Sequence, residues 1–229
     1  MDSNKPFAER LWDAVDRCGN KCCVGIDPNP ALMPGSLIEP PTGRGEAAMA
    51  EVLERFCGRI LELVRGRVPA VKFQFAFFER WGWRGLRALE RSIVAARAGG
   101  LLVIGDAKRG DIGSTAEMYA RAYLRASPGT PDALTINPYP GRDGVIPFIQ
   151  VAERHHKGLF ILVRTSNPSA LEIQGDAGAA DSAVARVAAM IRQLDGAGLG
   201  ARGQGLLGAV AGATYPDDLL ALADRLPRS

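Results

Sequence analysis

The sequence predicts an α/β fold in which a parallel sheet of about six strands is covered by helices, arranged as a (β/α)-barrel. Three observations predict it. Short apolar runs alternate with amphipathic helical stripes from end to end, and strands buried on both faces read as continuous apolar runs. Polar residues gather directly behind five successive runs, at the strand ends where such barrels assemble their active sites. No run is followed by the Gly-x-Gly-x-x-Gly pattern of a dinucleotide-binding sheet.

The elements follow in order. Phe7, Leu11, Val15 and Cys18 recur at helical spacing and predict an opening helix. A first strand over 22–26 stops at Asp27-Pro28-Asn29-Pro30, and a Pro- and Gly-rich stretch fills 34–45. Met49, Leu53, Phe56, Ile60 and Val64 mark the next helix, before a strand over 70–75. Leu86, Leu89, Ile93 and Ala96 mark another, before a strand over 101–105. A helix from about Ser114 carries Met118 and Ala122, followed by a strand over 133–136 and a helix over about 145–153. A strand over 159–163 opens into a polar loop over 165–178. A helix on Val184, Val187, Ile191 and Leu194 then leads through a glycine-rich linker, 196–205, to a strand over 206–211. Thr214-Tyr215-Pro216-Asp217 reads as a capped helix start with proline in the first turn.

Composition narrows the function. A chain of 229 residues supports one sizeable core, read as a single domain over 1–229. The charge of +3 and the lack of a basic, aromatic-laced cluster argue against nucleic acid. No apolar run approaches the ~20 residues of a membrane span, and the N-terminus lacks a signal-peptide core, so a cytoplasmic location is expected. Cys18, Cys22, Cys23 and Cys57 show no metal or disulfide spacing and are expected to be small core residues. His155 and His156 fall at a polar helix end with no ligand set around them. Arg109-Gly110-Asp111 spells an adhesion tripeptide by coincidence.

The chemistry concentrates in Asp106-Ala107-Lys108-Arg109-Gly110-Asp111-Ile112, directly behind a buried strand. If the strand persists, Asp106 and Lys108 point the same way. Lys72 interrupts another apolar strand. An ammonium inside a parallel barrel needs a carboxylate partner, and Asp106 on the neighbouring strand is the natural one. Asp27, Gln74, Asn137 and the run Arg164, Thr165, Ser166, Asn167 complete the polar strand ends.

These residues resemble the orotidine 5′-phosphate decarboxylase family, in its bacterial subgroup. The resemblance rests on Val24-Gly25-Ile26-Asp27-Pro28, on Val71-Lys72-Phe73-Gln74 with Phe77-Phe78-Glu79, and on Asp106 through Thr115. Asn137-Pro138-Tyr139, Arg164-Thr165-Ser166-Asn167-Pro168 and Gly212-Ala213-Thr214-Tyr215-Pro216 extend it, so that it spans 7–226. It implies a (β/α)8 TIM barrel and conversion of orotidine monophosphate to UMP and CO2 in pyrimidine biosynthesis, with no cofactor and no metal. It also implies roles. Lys108 protonates C6 of the pyrimidine, Asp106 lies against the departing carboxylate, and Lys72 binds ribose and pairs with Asp106. Asp111 reaches the neighbouring subunit's site in a homodimer, with Ile112 and Thr115 crossing the interface. Asp27 holds a ribose hydroxyl, Ser166 reads the pyrimidine amide edge, and Asn137 joins the substrate-binding set.

The resemblance also sets expectations of departure. Only six of the eight strands are counted, so the barrel is expected to be C-terminally incomplete, lacking the family's phosphate-gripping loop and arginine. Weak phosphate binding and impaired catalysis follow, with a dimerising or nucleotide-binding remnant as the alternative. The nearest rival is a metal-dependent sugar-phosphate relative, which carries an acidic magnesium ligand where Lys72 stands. A lysine cannot ligate magnesium.

Overall fold

The computed structural model describes residues 4–38, 45–195 and 205–226. In chain order the elements are α1 (Phe7–Cys18), β1 (Cys23–Ile26), a 3-10 turn (Pro30–Leu32), α2 (Gly35–Ile38), α3 (Glu46–Val64), β2 (Ala70–Gln74), α4 (Ala76–Glu79), α5 (Gly82–Ala98) and β3 (Leu102–Arg109). Then come α6 (Gly113–Leu124), β4 (Ala133–Ile136), α7 (Arg142–Arg154), β5 (Gly158–Arg164), α8 (Ala170–Gln174), α9 (Ala183–Asp195), β6 (Leu207–Ala211) and α10 (Pro216–Ala223). The six strands order as β1-β2-β3-β4-β5-β6. That sequential order, with helices between strands, is the pattern of the (β/α)8 barrel class.

The chain divides into two compact units. One comprises Arg10–Ala107 and Ala126–Asp132, and the other the described parts of Asp2–Glu9, Lys108–Arg125 and Ala133–Ser229. In the first, β1 and β3 flank β2 in parallel register, with Gly25 beside Lys72 and Gln74 beside Asp106. The apolar stripe of α3 (Val52, Leu53, Cys57, Leu61) packs against α5 (Leu89, Ile93, Ala96), and Phe73, Phe75 and Phe78 fill the interior. Asp132, 1% exposed, accepts from Arg10 Nη1 at 2.7 Å and from the Val103 amide at 3.0 Å. A buried carboxylate is tolerable only with such partners. In the second unit β5 lies parallel between β4 and β6, α6 packs on α7, and Phe7 meets Phe160 edge to face at 6.0 Å.

Four expectations need correction. Strand β3 runs to Arg109 rather than stopping at 105, because its charged end stays hydrogen-bonded: the Phe75 amide donates to the Asp106 carbonyl at 3.2 Å and the Asn137 amide to the Arg109 carbonyl at 2.7 Å. The polar loop over 165–178 contains α8. The last helix starts at Pro216 behind Tyr215, with no side-chain cap. Of the cysteines only Cys57 is core. Cys18 is half-buried, and Cys22 and Cys23 are exposed on or beside β1. Past the end of α7, His156 is exposed and His155 half-buried, while Lys157 is buried. The stretch over 34–45 includes the short α2, while 39–44 and most of the glycine-rich linker, 196–204, lie outside the described residues.

Candidate active site

Within the first unit, β2 and β3 bring Lys72 and Asp106 together. Lys72 Nζ lies 2.8 Å from Asp106 Oδ2, and Gln74 Nε2 donates to the same oxygen at 2.9 Å. Side chains two apart on a strand share a face, so Lys72 and Gln74 reach the carboxylate opposite Gln74 in register. The Asp106 side chain is 8% exposed and that of Lys72 32%. The pairing anticipated from a lysine within an apolar strand is thus present, with Gln74 added to it. Asp27 is exposed directly after β1.

Lys108 follows Asp106 by two residues on β3, but the alternation argument does not carry to it. Its φ is +48°, in the left-handed region, so the backbone leaves the extended conformation at the residue itself. The departure is held in place within the second unit. The Lys108 amide donates to Thr135 Oγ1 on β4 at 2.9 Å. Two residues on, a Cβ on Gly110 would stand 2.7 Å from the Asn137 carbonyl oxygen, so only glycine fits where the chain presses on the end of β4. A left-handed lysine costs of order 1 kcal/mol.

Behind Gly110, Asp111 Oδ1 accepts from the Ile112 amide at 2.8 Å, just before α6. Ile112 is 59% exposed, and Thr115 is exposed. Asn137 closes β4, with its own Oδ1 accepting from the Tyr139 amide at 3.0 Å. At the end of β5, Ser166 and Asn167 are exposed, whereas Arg164 is 2% exposed. The Arg164 guanidinium binds Asp218 of α10 through Nε and lies over the Tyr215 ring, 4.7 Å from its centroid. Its Nη1 has no acceptor among the described residues, so Asp218 is its anionic partner.

Sequence reasoning missed Thr135, Gln174 and Asp218, all of which hold a site segment in place. Thr135 lies two residues before Asn137, and on a strand that spacing puts both on one face, which is the only signal that could have found it. Among the described residues no group of three or more His, Cys, Asp or Glu is placed to hold a metal ion.

Six parallel strands in sequential order, five of them with polar side chains at or near their ends, define a chain of the (β/α)8 barrel class with a lysine–aspartate pair on adjacent strands. The chain belongs to the orotidine 5′-phosphate decarboxylase / HUMPS family, whose profile matches residues 20–225. It is 41% identical over 228 residues to an orotidine 5′-phosphate decarboxylase of Rhodopirellula baltica, covering 97% of this chain and 76% of that one. A crystal structure from Streptomyces avermitilis assigned to the same activity is 40% identical, with TM-score 0.77, over 93% of this chain and 71% of that one. The OMP decarboxylase structure of Leishmania donovani is 30% identical, with TM-score 0.73, over 97% and 76%. The chain is therefore shorter than its relatives, spanning about three quarters of their length.

Proposed function

We propose that the chain catalyses the reaction its family is named for, converting orotidine monophosphate to UMP and CO2 without a cofactor. The observation that carries this reading is the Lys72–Asp106 ion pair, with Asp106 buried and Lys72 half-buried, two residues before a lysine held in a strained backbone conformation. Strained backbone at a non-glycine residue persists where the surrounding structure over-determines it, and such residues gather at active sites.

The chemistry follows from charge. When the C6–carboxylate bond breaks, its electron pair stays on C6 and CO2 departs. The ring offers no sink for that pair, so an ammonium aimed at C6 stabilises it and then supplies the proton. Lys108 takes that role. Asp106 faces the leaving carboxylate, and two like charges ~4 Å apart repel by about 4 kcal/mol at an effective dielectric near 20. Loss of CO2 relieves that repulsion. Lys72 neutralises Asp106 before substrate arrives and binds the ribose. Asp27 takes a ribose hydroxyl, Ser166 the pyrimidine amide edge, and Asn137 lies among the substrate contacts. Asp111, Ile112 and Thr115 belong to a homodimer interface in which Asp111 serves the neighbouring subunit's ribose, and the dimer works in the cytoplasm. No helix among the described residues is long and apolar enough to cross a membrane.

Lys108→Ala tests the assignment. Positioned general acids contribute ~100-fold or more, so decarboxylation, followed by loss of orotidine monophosphate, is expected to fall at least that far while calorimetry still detects UMP binding. Turnover that survives the substitution removes Lys108 from the mechanism. Turnover that collapses with a chelator returns the metal-dependent relatives to consideration.

A further inference from the structure

We propose that Gln174 and Arg164 are positioning residues that preset the turn carrying Ser166 and so set the chain's selectivity for a pyrimidine ring. The proposal rests on the reading of Ser166 as the group that faces the nucleobase. Ser166 is exposed on a polar turn of the kind that ordinarily samples many conformations. Ordering such a turn when ligand arrives subtracts from affinity, and holding it beforehand removes that loss.

Both flanks of Ser166 are held. Gln174, the last residue of α8, grips Thr165 at two points. Its Oε1 accepts from the Thr165 amide at 3.0 Å, and its Nε2 donates to Thr165 Oγ1 at 2.6 Å. An amide nitrogen only donates, so the threonine hydroxyl must send its own proton onward, and it lies 2.6 Å from Asn167 Oδ1. The relay runs from Gln174 through Thr165 to Asn167. It fixes the residues before and after Ser166 and leaves the serine side chain to a ligand. One residue before Thr165, the Gly212 amide donates to the Arg164 carbonyl at 2.8 Å. The backbone of Gly212 comes so near that a Cβ there would lie 3.0 Å from the Ser166 nitrogen. The buried Arg164 side chain holds that approach by binding Asp218 and covering Tyr215, both behind Gly212 in the chain.

The test uses the full chain with Gln174→Ala, Asp218→Ala and the conservative Asp218→Asn. Calorimetric titrations with UMP and with ribose 5-phosphate separate recognition of the base from recognition of the sugar phosphate. Losing one such contact is expected to weaken UMP by about tenfold and ribose 5-phosphate by less than twofold, with Asp218→Asn recovering most of the loss. Amide exchange at Thr165, whose N–H is held by Gln174 Oε1, is expected to quicken by a similar factor in the unliganded Gln174→Ala chain. Equal weakening of both ligands, or unchanged exchange at this amide, overturns the proposal, since a general brace would lower the melting temperature without altering base selectivity. If the unsubstituted chain binds neither ligand, the proposed function on which this reading rests fails, and the exchange measurement still decides whether Gln174 holds the turn.

Discussion

Lys108 shows how much of a site is decided at a single residue. Its φ of +48° is one that glycine adopts freely and a side chain does not. Thr135 Oγ1 and the close contact at Gly110 hold it there. Lys108→Gly is therefore expected to be more stable than Lys108→Ala by about 1 kcal/mol, although neither keeps the ammonium. Urea unfolding of the pair checks this, and equal midpoints would mean the backbone relaxes once the lysine is gone. The Lys72–Asp106 pairing was legible in the sequence because a lysine between apolar neighbours in a buried strand admits few solutions. The left-handed turn at Lys108, its anchor on Thr135 and the Gln174 relay were not legible. Each depends on which polar group on another element comes within about 3 Å; spacing could place Thr135 on the same face as Asn137, but neither spacing nor hydropathy encodes the contact itself. Desolvation raises two of the thiols, Cys57 to about 12 and Cys23 to about 11.

At the scale of elements, strands were readable where apolar runs end cleanly, as at β4 and β6, and β3 was cut short because Asp106, Lys108 and Arg109 look like loop. Helix α8 was hidden because its five residues offer barely one turn of periodicity inside a polar stretch. The junction of α9 and β6 carries a titratable clasp. Asp195, the last residue of α9, is 5% exposed, and its Oδ1 accepts from the Leu207 amide at 3.0 Å. Burial raises its carboxyl above the ordinary aspartate range, and the backbone N–H groups of Leu207 and Leu206 offset this in part. A raised acid keeps its proton in the folded chain to higher pH than in the unfolded one. Its contribution is thus fully present below the ordinary aspartate pKa and is lost as pH rises through the folded value. Asp195→Asn preserves the acceptor for Leu207 without the charge. It is expected to exceed the unsubstituted chain in stability at pH 7, with the difference shrinking as pH falls toward 4. Chemical denaturation across that range decides it, and a difference independent of pH would mean Asp195 titrates normally.

For the molecule as a whole, family membership covers nearly all of this chain and about three quarters of its relatives, so the remaining question is how the chain associates. Exposed apolar side chains sit close in sequence to the charged segment: Ile112 at 59% and Met118 at 53% exposure. Isolated exposed apolar residues are ordinary, but Ile112 and Met118 belong to the start and the body of one helix, α6, immediately behind Asp111. A homodimer that buries them would carry Asp111 to the neighbouring site, coupling assembly to catalysis. Ile112→Asp places a charge where an apolar contact is proposed, and burying an unpaired carboxylate costs several kcal/mol. Sedimentation velocity is expected to show a dimer for the unsubstituted chain and a monomer for Ile112→Asp, with decarboxylation falling in step. Because Ile112 is exposed within the chain, its substitution should leave the melting temperature of the monomer nearly unchanged. A dimer that survives Ile112→Asp places the interface elsewhere, and activity that persists in a monomer frees Asp111 from any role in a partner's site.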